Sequence, residues 1–560
     1  MTGAPGPITR RELVGITLIA VALTAYFTWP LALRPGGLGR IALGDGQFSV
    51  WNVAWVAHAL TSGLDVFDAN IFHPHQNTLA YSEANLGAGI LAVPAYLLTG
   101  NPYAAHNSAV LTGLTFSVIG MYLLARRLTG SREASLVAAI VFAFCPFLFA
   151  RTAHIQLMMT APLPFTLLAF HCFADDVRPR RAAILGLAIA VQALFCAYYG
   201  VLVGLIVGLG VLVCAMYRGR WREPRWWYLS VFAAAVSAIV VLPFFLPYMT
   251  LQDETGFGRT LNDSRRYSAD WRAYFASSAW AHVWMLPLLQ RWKEVLFPGF
   301  TALLIGGFGL IAVLRYRARP VNVDPPPLTR DVAVLYLLVL VLALWSSFGP
   351  AAGLYSWLYY TVPVFSLLRA PARFGLAVTL ALSVFTAAGV TVMLRLVAPS
   401  RRLWVTAALV LAAVAELTTP IPYLPAREVP RAYKVLAAAE PGALAEFPFY
   451  HLPHERYRQT LYMLGSTAHW RPMVNGYSDF IPADFFEGAR LLETFPDAAG
   501  LDWLRERGTR YVIFHTNLYD DPSRARLQER IRAHADALQP KYLFGTVHLY
   551  EIAPGKSLTP

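Results

Sequence analysis

Asp45 stands between two glycines in the stretch Leu43–Leu60, LGDGQFSVWNVAWVAHAL. A carboxylate in that setting can take a proton from an incoming hydroxyl, and Gly44 and Gly46 let the backbone turn sharply and approach a ligand closely. Asp is also a preferred helix N-cap, so capping and catalysis both stay open for Asp45. Downstream, IFHPHQNTLAYSEANLG brings His73, His75 and Glu83 together. His-x-His with a nearby Glu contains ligand types suited to zinc. Pro74 breaks any helical geometry, however, and no fourth ligand is evident. Loop hydrogen bonding is the more ordinary use of these histidines, so no metal ligand is assigned and a divalent metal has no support. Glu83 is the best second carboxylate for substrate contact, and Trp51, Asn52 and His75 of the same external loop are further substrate-contacting candidates.

The candidate anion binders are arginines. Arg151 and His154 lie in FARTAHIQLMM, and Arg369 and Arg373 in RAPARF. Arginine forms bidentate bonds to phosphate. The ordinary alternatives are snorkelling at a helix end for the first pair and pairing with bulk lipid phosphates for the second. Pro371 argues for a turn between Arg369 and Arg373. Tyr198 and Tyr199 sit between two apolar runs, where they could line a headgroup pocket or simply pack and anchor. No GxSxG, Walker loop or HExxH is present, so soluble-nucleotide chemistry has no visible home.

The elements that must position these residues are membrane spans. The 560 residues are 56% hydrophobic and 14% charged, and apolar runs of spanning length recur, as in Leu13–Leu33 and Trp226–Tyr248. The first run reads as an uncleaved span, not a signal. The net charge of +13 comes from bases clustered in short loops. Retained cytoplasmic loops explain them better than nucleic acid does. Cys145, Cys172, Cys196 and Cys214 fall in or beside apolar segments and read as small core hydrophobes.

Placing the basic loops in the cytoplasm threads the chain through about eleven crossings: Leu13–Leu33, Tyr103–Ala125, Ala134–Ala150, Leu157–Phe173, Ala182–Ala197, Val201–Met216, Trp226–Tyr248, Phe300–Leu314, Val332–Trp345, Phe374–Leu394 and Leu403–Pro420. A tight turn at Tyr198, Tyr199 and Gly200 joins the fifth and sixth. Leu86–Thr99 is short for a span and reads as re-entrant or interfacial. Residues 1–420 are thus expected to form a polytopic α-helical membrane domain with external loops 35–102 and 250–298. Residues 421–560 are expected to form an external α/β or α+β domain, with strands in GALAEFPFY, RYVIFHT and KYLFGTVHLYEI and helices near 483–492 and 522–538. Phe48, Trp51 and Trp55 recur at helical spacing, which reads as a helix lying on the bilayer.

In layout this resembles the GT-C superfamily of integral-membrane glycosyltransferases. The resemblance rests on the first span, the large loop with GDG and WNVAW, then FHPHQNTLAY, the many further spans and the external tail. GALAEFPFY and HWRPMVNGYSDFIP look like segments of bacterial membrane proteins of this layout. The resemblance implies a polyprenyl-phosphate-linked sugar as donor, a lipid, glycan or protein acceptor, and transfer on the outer face of the bacterial cytoplasmic (inner) membrane. It carries the first-loop acid onto Asp45, as base or acceptor contact. Gly46 and Gln47 follow Asp45 where a paired acid is common, which leaves metal dependence open. Arg369 and Arg373, with Arg151 and His154, would neutralise the departing lipid phosphate. The loop 250–298 would cover the site and stack on sugar faces, although any amphipathic external loop has the same mix of residues. The alternative classes are a flippase or transporter for lipid-linked sugars, disfavoured by spans poor in central charge, and a non-catalytic scaffold for envelope glycan assembly.

Overall fold

The computed structural model describes residues 8–39, 43–316 and 327–554. The chain divides into two compact units. One is made of residues 1–33, 110–246 and 256–422, the other of 34–109, 247–255 and 423–560.

The first unit is helical. Six helical stretches in the chain are long and apolar enough to cross a membrane, among the described residues: Pro102–Thr129, Arg132–Phe149, Ala197–Tyr217, Pro224–Thr255, Arg330–Ser347 and Pro371–Arg395. The other expected crossings are the helices Arg10–Phe27, Pro162–Asp175, Pro179–Phe195, Phe300–Tyr316 and Arg402–Leu417, which have 14 to 18 residues. At 1.5 Å per residue the four of 14 to 17 residues reach roughly 21–26 Å, short of a bilayer's apolar core. Arg10–Phe27, as long as two of the six, carries three charges in its first turn, Arg10, Arg11 and Glu12. Two expected runs are broken by prolines. Pro146 starts a new turn after Ala143, and Pro162 starts the helix that was expected from Leu157.

Polar clusters tie the helix ends. Glu12, in the first turn of its helix, accepts from Tyr122 and Arg126 at 2.9 Å and from Arg132 at 3.0 Å. Arg218 bonds Asp175 at 2.8 Å and Asp331 at 2.6 Å. Several loop bases are therefore held by carboxylates instead of standing free in a loop. At another end, Glu416 accepts from the backbone N–H groups of Phe300 and Thr301 and from the Thr301 hydroxyl, capping a helix to which it does not belong. His282 adds a fourth bond at 3.0 Å.

Between the ends, backbones meet. A Cβ on Gly309 would overlap the Phe385 carbonyl and the Gly389 backbone, and one on Gly389 would overlap the Ile305 carbonyl. Helices Phe300–Tyr316 and Gly375–Arg395 thus pack through glycine, as small residues allow in membranes.

The second unit is built on the helix Asp45–Ser62. The sequence expectation of a bilayer-lying helix is corrected here. Trp51, Asn52, Val53 and Ala54 are all fully buried, because helices Leu86–Thr99 and Gln459–Ser466 cover its sides. Gly89 makes the first contact possible, since a Cβ there would overlap Val56.

The tail pairs with residues of the segment 35–102. Strand Leu38–Gly39 pairs antiparallel with Leu424–Pro425. Phe72 N–H reaches the Asn475 carbonyl at 3.1 Å, His73 N–H the Met473 carbonyl at 2.8 Å, and Met473 N–H the Asn70 carbonyl at 2.9 Å.

Beyond them lies a four-stranded sheet in the order Ala443–Phe447, Thr509–His515, Val547–Ile552, Leu538–Tyr542. Its first pair is parallel and the others antiparallel. The run KYLFGTVHLYEI, expected as one strand, is a hairpin turning at Gly545, where φ is +74°. The expected tail helices are Ala483–Leu491 and Asp521–Ala533, the second ending before Leu538. Buried Glu446, on the first strand, accepts from Tyr433 at 2.6 Å and lies 2.6 Å from His515 Nε2.

Replacing Gly309 with leucine forces these two helices apart. Overpacking of this kind costs about 1–3 kcal/mol or more. The variant is expected to melt below the wild type in detergent by differential scanning fluorimetry, whereas Gly307→Ala, with open space around it, leaves the melt unchanged.

Candidate functional site

The candidate residues divide between the two units. Asp45, Trp51, Asn52, His75 and Glu83 belong to the second; Arg151, His154, Tyr198, Tyr199, Arg369 and Arg373 belong to the first.

In the second unit, Asp45 is the first residue of its helix and is exposed, and it does not cap that helix. The N-cap is Gly44, at φ +88°, a conformation side chains resist. The Gly44 N–H is held by the Thr460 hydroxyl at 3.1 Å. Tyr477 donates its hydroxyl to Asp45 Oδ1 at 3.1 Å. Burial and the Asp45 charge raise the Tyr477 phenol well above its ordinary range, so it stays a donor. Tyr477 stands edge-on to Phe48, with ring centroids 6.1 Å apart. A carboxylate on a rigid helix, held by a neutral donor, is suited to holding or taking a proton at a set position.

Trp51 and Asn52 lie behind this surface. Trp51 Nε1 donates to Asn70 Oδ1 at 3.1 Å, and Asn52 bonds the Glu83 carbonyl at 3.3 Å and the Asn85 amide at 3.1 Å. Their burial corrects the expectation of substrate contact. They lock the helix to the segment that carries Glu83, whose side chain is half-buried.

His75 and His73 have protein partners. His75 Nε2 lies 2.9 Å from Asp484 Oδ1, and His73 Nε2 lies 2.9 Å from the Arg507 carbonyl. Burial pushes the His73 imidazole down. Among the described residues, no three His, Cys, Asp or Glu side chains stand together as a metal site. Burial alone would raise the Asp484 carboxyl, but hydrogen bonds from His75 and Arg507 outweigh it and hold Asp484 below its usual value.

In the first unit, the loop around Arg369 and Arg373 is clamped. Tyr198 donates to the Ala370 carbonyl at 2.7 Å and Tyr355 to the Leu368 carbonyl at 2.8 Å. Pro371 opens a single 3₁₀ turn, Pro371–Phe374, that leads into the next helix.

The chain reversal between helices Pro179–Phe195 and Ala197–Tyr217 is one extended residue, Cys196. Tyr198 and Tyr199 therefore lie in the first turn of a helix, correcting the expected tight turn. Both are buried. Tyr199 donates to the Leu157 carbonyl at 3.1 Å.

Arg373 lies over the Tyr198 ring at 5.1 Å and Arg369 over Tyr267 at 5.4 Å. Arg151 pairs with buried Glu294 and reaches 5.7 Å from the Phe147 centroid. Burial and the neighbouring Arg373 charge both push the Arg151 guanidinium down, and its buried Nε has no hydrogen-bond partner among the described residues. His154 is half-buried, with its N–H on the Arg151 carbonyl at 2.8 Å.

Tyr477, Asp484, Glu294 and Tyr267 complete these clusters and were not singled out from the sequence. Each is remote in sequence from its partner. Tyr477 lies in HWRPMVNGYSDFIP, Asp484 in the helix expected near 483–492, and Tyr267 and Glu294 in the loop 250–298.

Unit and site together define a polytopic helical membrane protein with a clamped arginine cluster. The sequence matches the family described as Domain of unknown function (DUF6311) over residues 69–417, and the chain belongs to that family. No curated protein matches it significantly. Among solved structures it is similar to the oligosaccharyltransferase AglB of Archaeoglobus fulgidus in complex with an inhibitory peptide and a dolichol-phosphate. That match has 13% identity and a TM-score of 0.44, over 98% of this chain and 75% of that one. It is also similar to ArnT of Cupriavidus metallidurans bound to undecaprenyl phosphate, at 13% identity and a TM-score of 0.47, over 97% and 98% of the two chains.

Asp484 supplies a pH test. Because its folded carboxyl lies below the ordinary value, its pairing stabilises above the unfolded carboxylate range, near pH ~3.9. That contribution is lost as pH falls through the lower folded value. Asp484→Asn is expected to lower the melting temperature at neutral pH and to shrink the difference from wild type below about pH 4. Melting curves across pH check this.

Proposed function

We propose that this chain is a GT-C-like membrane glycosyltransferase that moves a sugar from a polyprenyl-phosphate donor to a lipid, glycan or protein acceptor on the outer face of a bacterial cytoplasmic membrane. The observation that carries the reading is the arginine cluster of the first unit. Arg151 and Arg373 are close enough to repel, and one buried carboxylate, Glu294, answers Arg151. Arg373 lies on an aromatic ring and has no carboxylate partner among the described residues. Like charges held together away from water are costly, and a phosphate anion relieves that cost. Guanidinium matches it as a fork, with each charge-assisted bond shorter and stronger than a neutral one.

In this reading the arginines hold the lipid phosphate and stabilise its charge as the bond to the sugar breaks. Asp45 takes the proton of the acceptor hydroxyl, whose oxygen forms the new bond to the anomeric carbon. The polyprenyl phosphate leaves with the electron pair of the broken carbon–oxygen bond. Trp51 and Asn52 keep the Asp45 helix rigid from behind, and Tyr477 orients the carboxylate.

Two measurements test the roles separately. Arg369→Gln with Arg373→Gln is expected to weaken binding of undecaprenyl phosphate, followed by native mass spectrometry, by about tenfold or more, the loss of one charged hydrogen bond. Unchanged affinity removes the phosphate role. Asp45→Asn is expected to lower sugar transfer from a synthetic polyprenyl-phosphate donor in proteoliposomes by about 10²–10⁴-fold, while the protein still inserts. Full activity in that variant removes Asp45 as the base.

A further inference from the structure

The segment Trp271–Lys293 of the first unit packs one side inward and leaves an aromatic surface outward. It is a pair of 3₁₀ turns, Trp271–Phe275 and Trp280–Met285, followed by one helical turn, Leu286–Leu289. Ala273, Ala276, Ala279, His282, Met285 and Leu289 are buried. Trp271 is 59% exposed, Trp280 62%, Trp284 60% and Leu288 72%, and Phe275 and Trp292 are exposed beside them. The turn at 286–289 packs against both 3₁₀ turns, so these exposed side chains belong to one packed segment. An apolar patch of this kind marks an interaction site.

Three observations identify its occupant. The segment is fastened where two apolar helices end: Trp280 N–H reaches the Thr418 carbonyl at 3.0 Å, just past helix Arg402–Leu417. Glu416, on that helix, caps the first turn of Phe300–Tyr316. The patch therefore stands at the level where apolar helices give way to polar surroundings, and tryptophan rings collect at that level of a bilayer. Its exposed charges are of one sign. Residues 271–293 include Arg272, Arg291 and Lys293 and no Asp or Glu, and Arg291 and Lys293 are exposed beside Trp292.

We infer that Trp271–Lys293 is a lipid-seated foot. It inserts its tryptophans and Leu288 into the headgroup boundary and sets its bases against anionic lipid phosphates. This assigns the segment to the membrane surface, in contrast to the sugar-stacking cover expected from sequence, and it does not depend on the transferase reading.

The test uses nitroxide labels at Trp284→Cys and, separately, Leu288→Cys. The background is Cys172→Ser, the other native thiols being buried. The full chain is placed in nanodiscs of phosphatidylcholine with and without phosphatidylglycerol. Collision rates with oxygen and with a water-soluble nickel chelate report depth. Both labels are expected within about 5–10 Å of the headgroup–acyl boundary, and deeper when phosphatidylglycerol is present. Arg272→Gln, Arg291→Gln and Lys293→Gln together are expected to abolish that increment. Nickel accessibility equal to that of the free label overturns the inference, because the surface then faces water. Exclusion of both probes also overturns it, because protein then covers the patch. A depth indifferent to phosphatidylglycerol overturns the anionic-lipid assignment.

Discussion

The second unit depends on backbone hydrogen bonds between segments some four hundred residues apart in the chain. Asn70, Phe72 and His73 are loop residues and Tyr81 ends the 3₁₀ turn Thr78–Tyr81, and their main-chain groups find partners at Met473, Asn475 and Phe480. Buried backbone polar groups are nearly always paired, and these loop groups are satisfied only when the tail is in place. The same pairing closes the Asp45 helix on its Gln459–Ser466 side. The position of Asp45, the donor Tyr477 and the His75–Asp484 contact all follow from it.

The first unit solves a different problem. Its helices meet through glycine at Gly309 and Gly389 and are tied at their ends by Glu12, Arg218 and Glu416. Against this rigid frame the loop from Leu368 to Phe374 is fixed by two tyrosine hydroxyls on its carbonyls. Preorganised cations of this kind bind an anion without reorganising. Beside the loop, the half-buried Arg151 pairs with the buried Glu294.

Helical periodicity is legible in the sequence; the exact turns and the long-range pairing are not. The strands at Ala443–Phe447 and Thr509–His515 showed as apolar runs, and the Asp45 helix showed in the recurrence of Phe48, Trp51 and Trp55. What misled was the side on which those rings lie. A tryptophan at helical spacing reads the same whether lipid, water or another helix covers it, and in Asp45–Ser62 other helices do. Tyr198, Tyr199 and Gly200 stand between two apolar runs and read as a tight turn, yet Cys196 alone makes the reversal. Arg151 stood out, but its partner Glu294 did not, since nothing in RWKEV distinguishes a buried acid from a solvated one.

The interlocked architecture of the second unit also sets an order of events during synthesis. Residues around Asn70 emerge about 400 positions before Met473, which at ordinary ribosomal speed is roughly 20–80 s. For that interval the Asp45 helix, with Trp51 and Trp55, has no tail to close over it. The nascent chain must keep an aromatic helix soluble or lipid-bound until the end of translation. Ribosome stalling, or a truncation anywhere before Met473, would leave that helix uncovered and make the shortened chain a target for quality control.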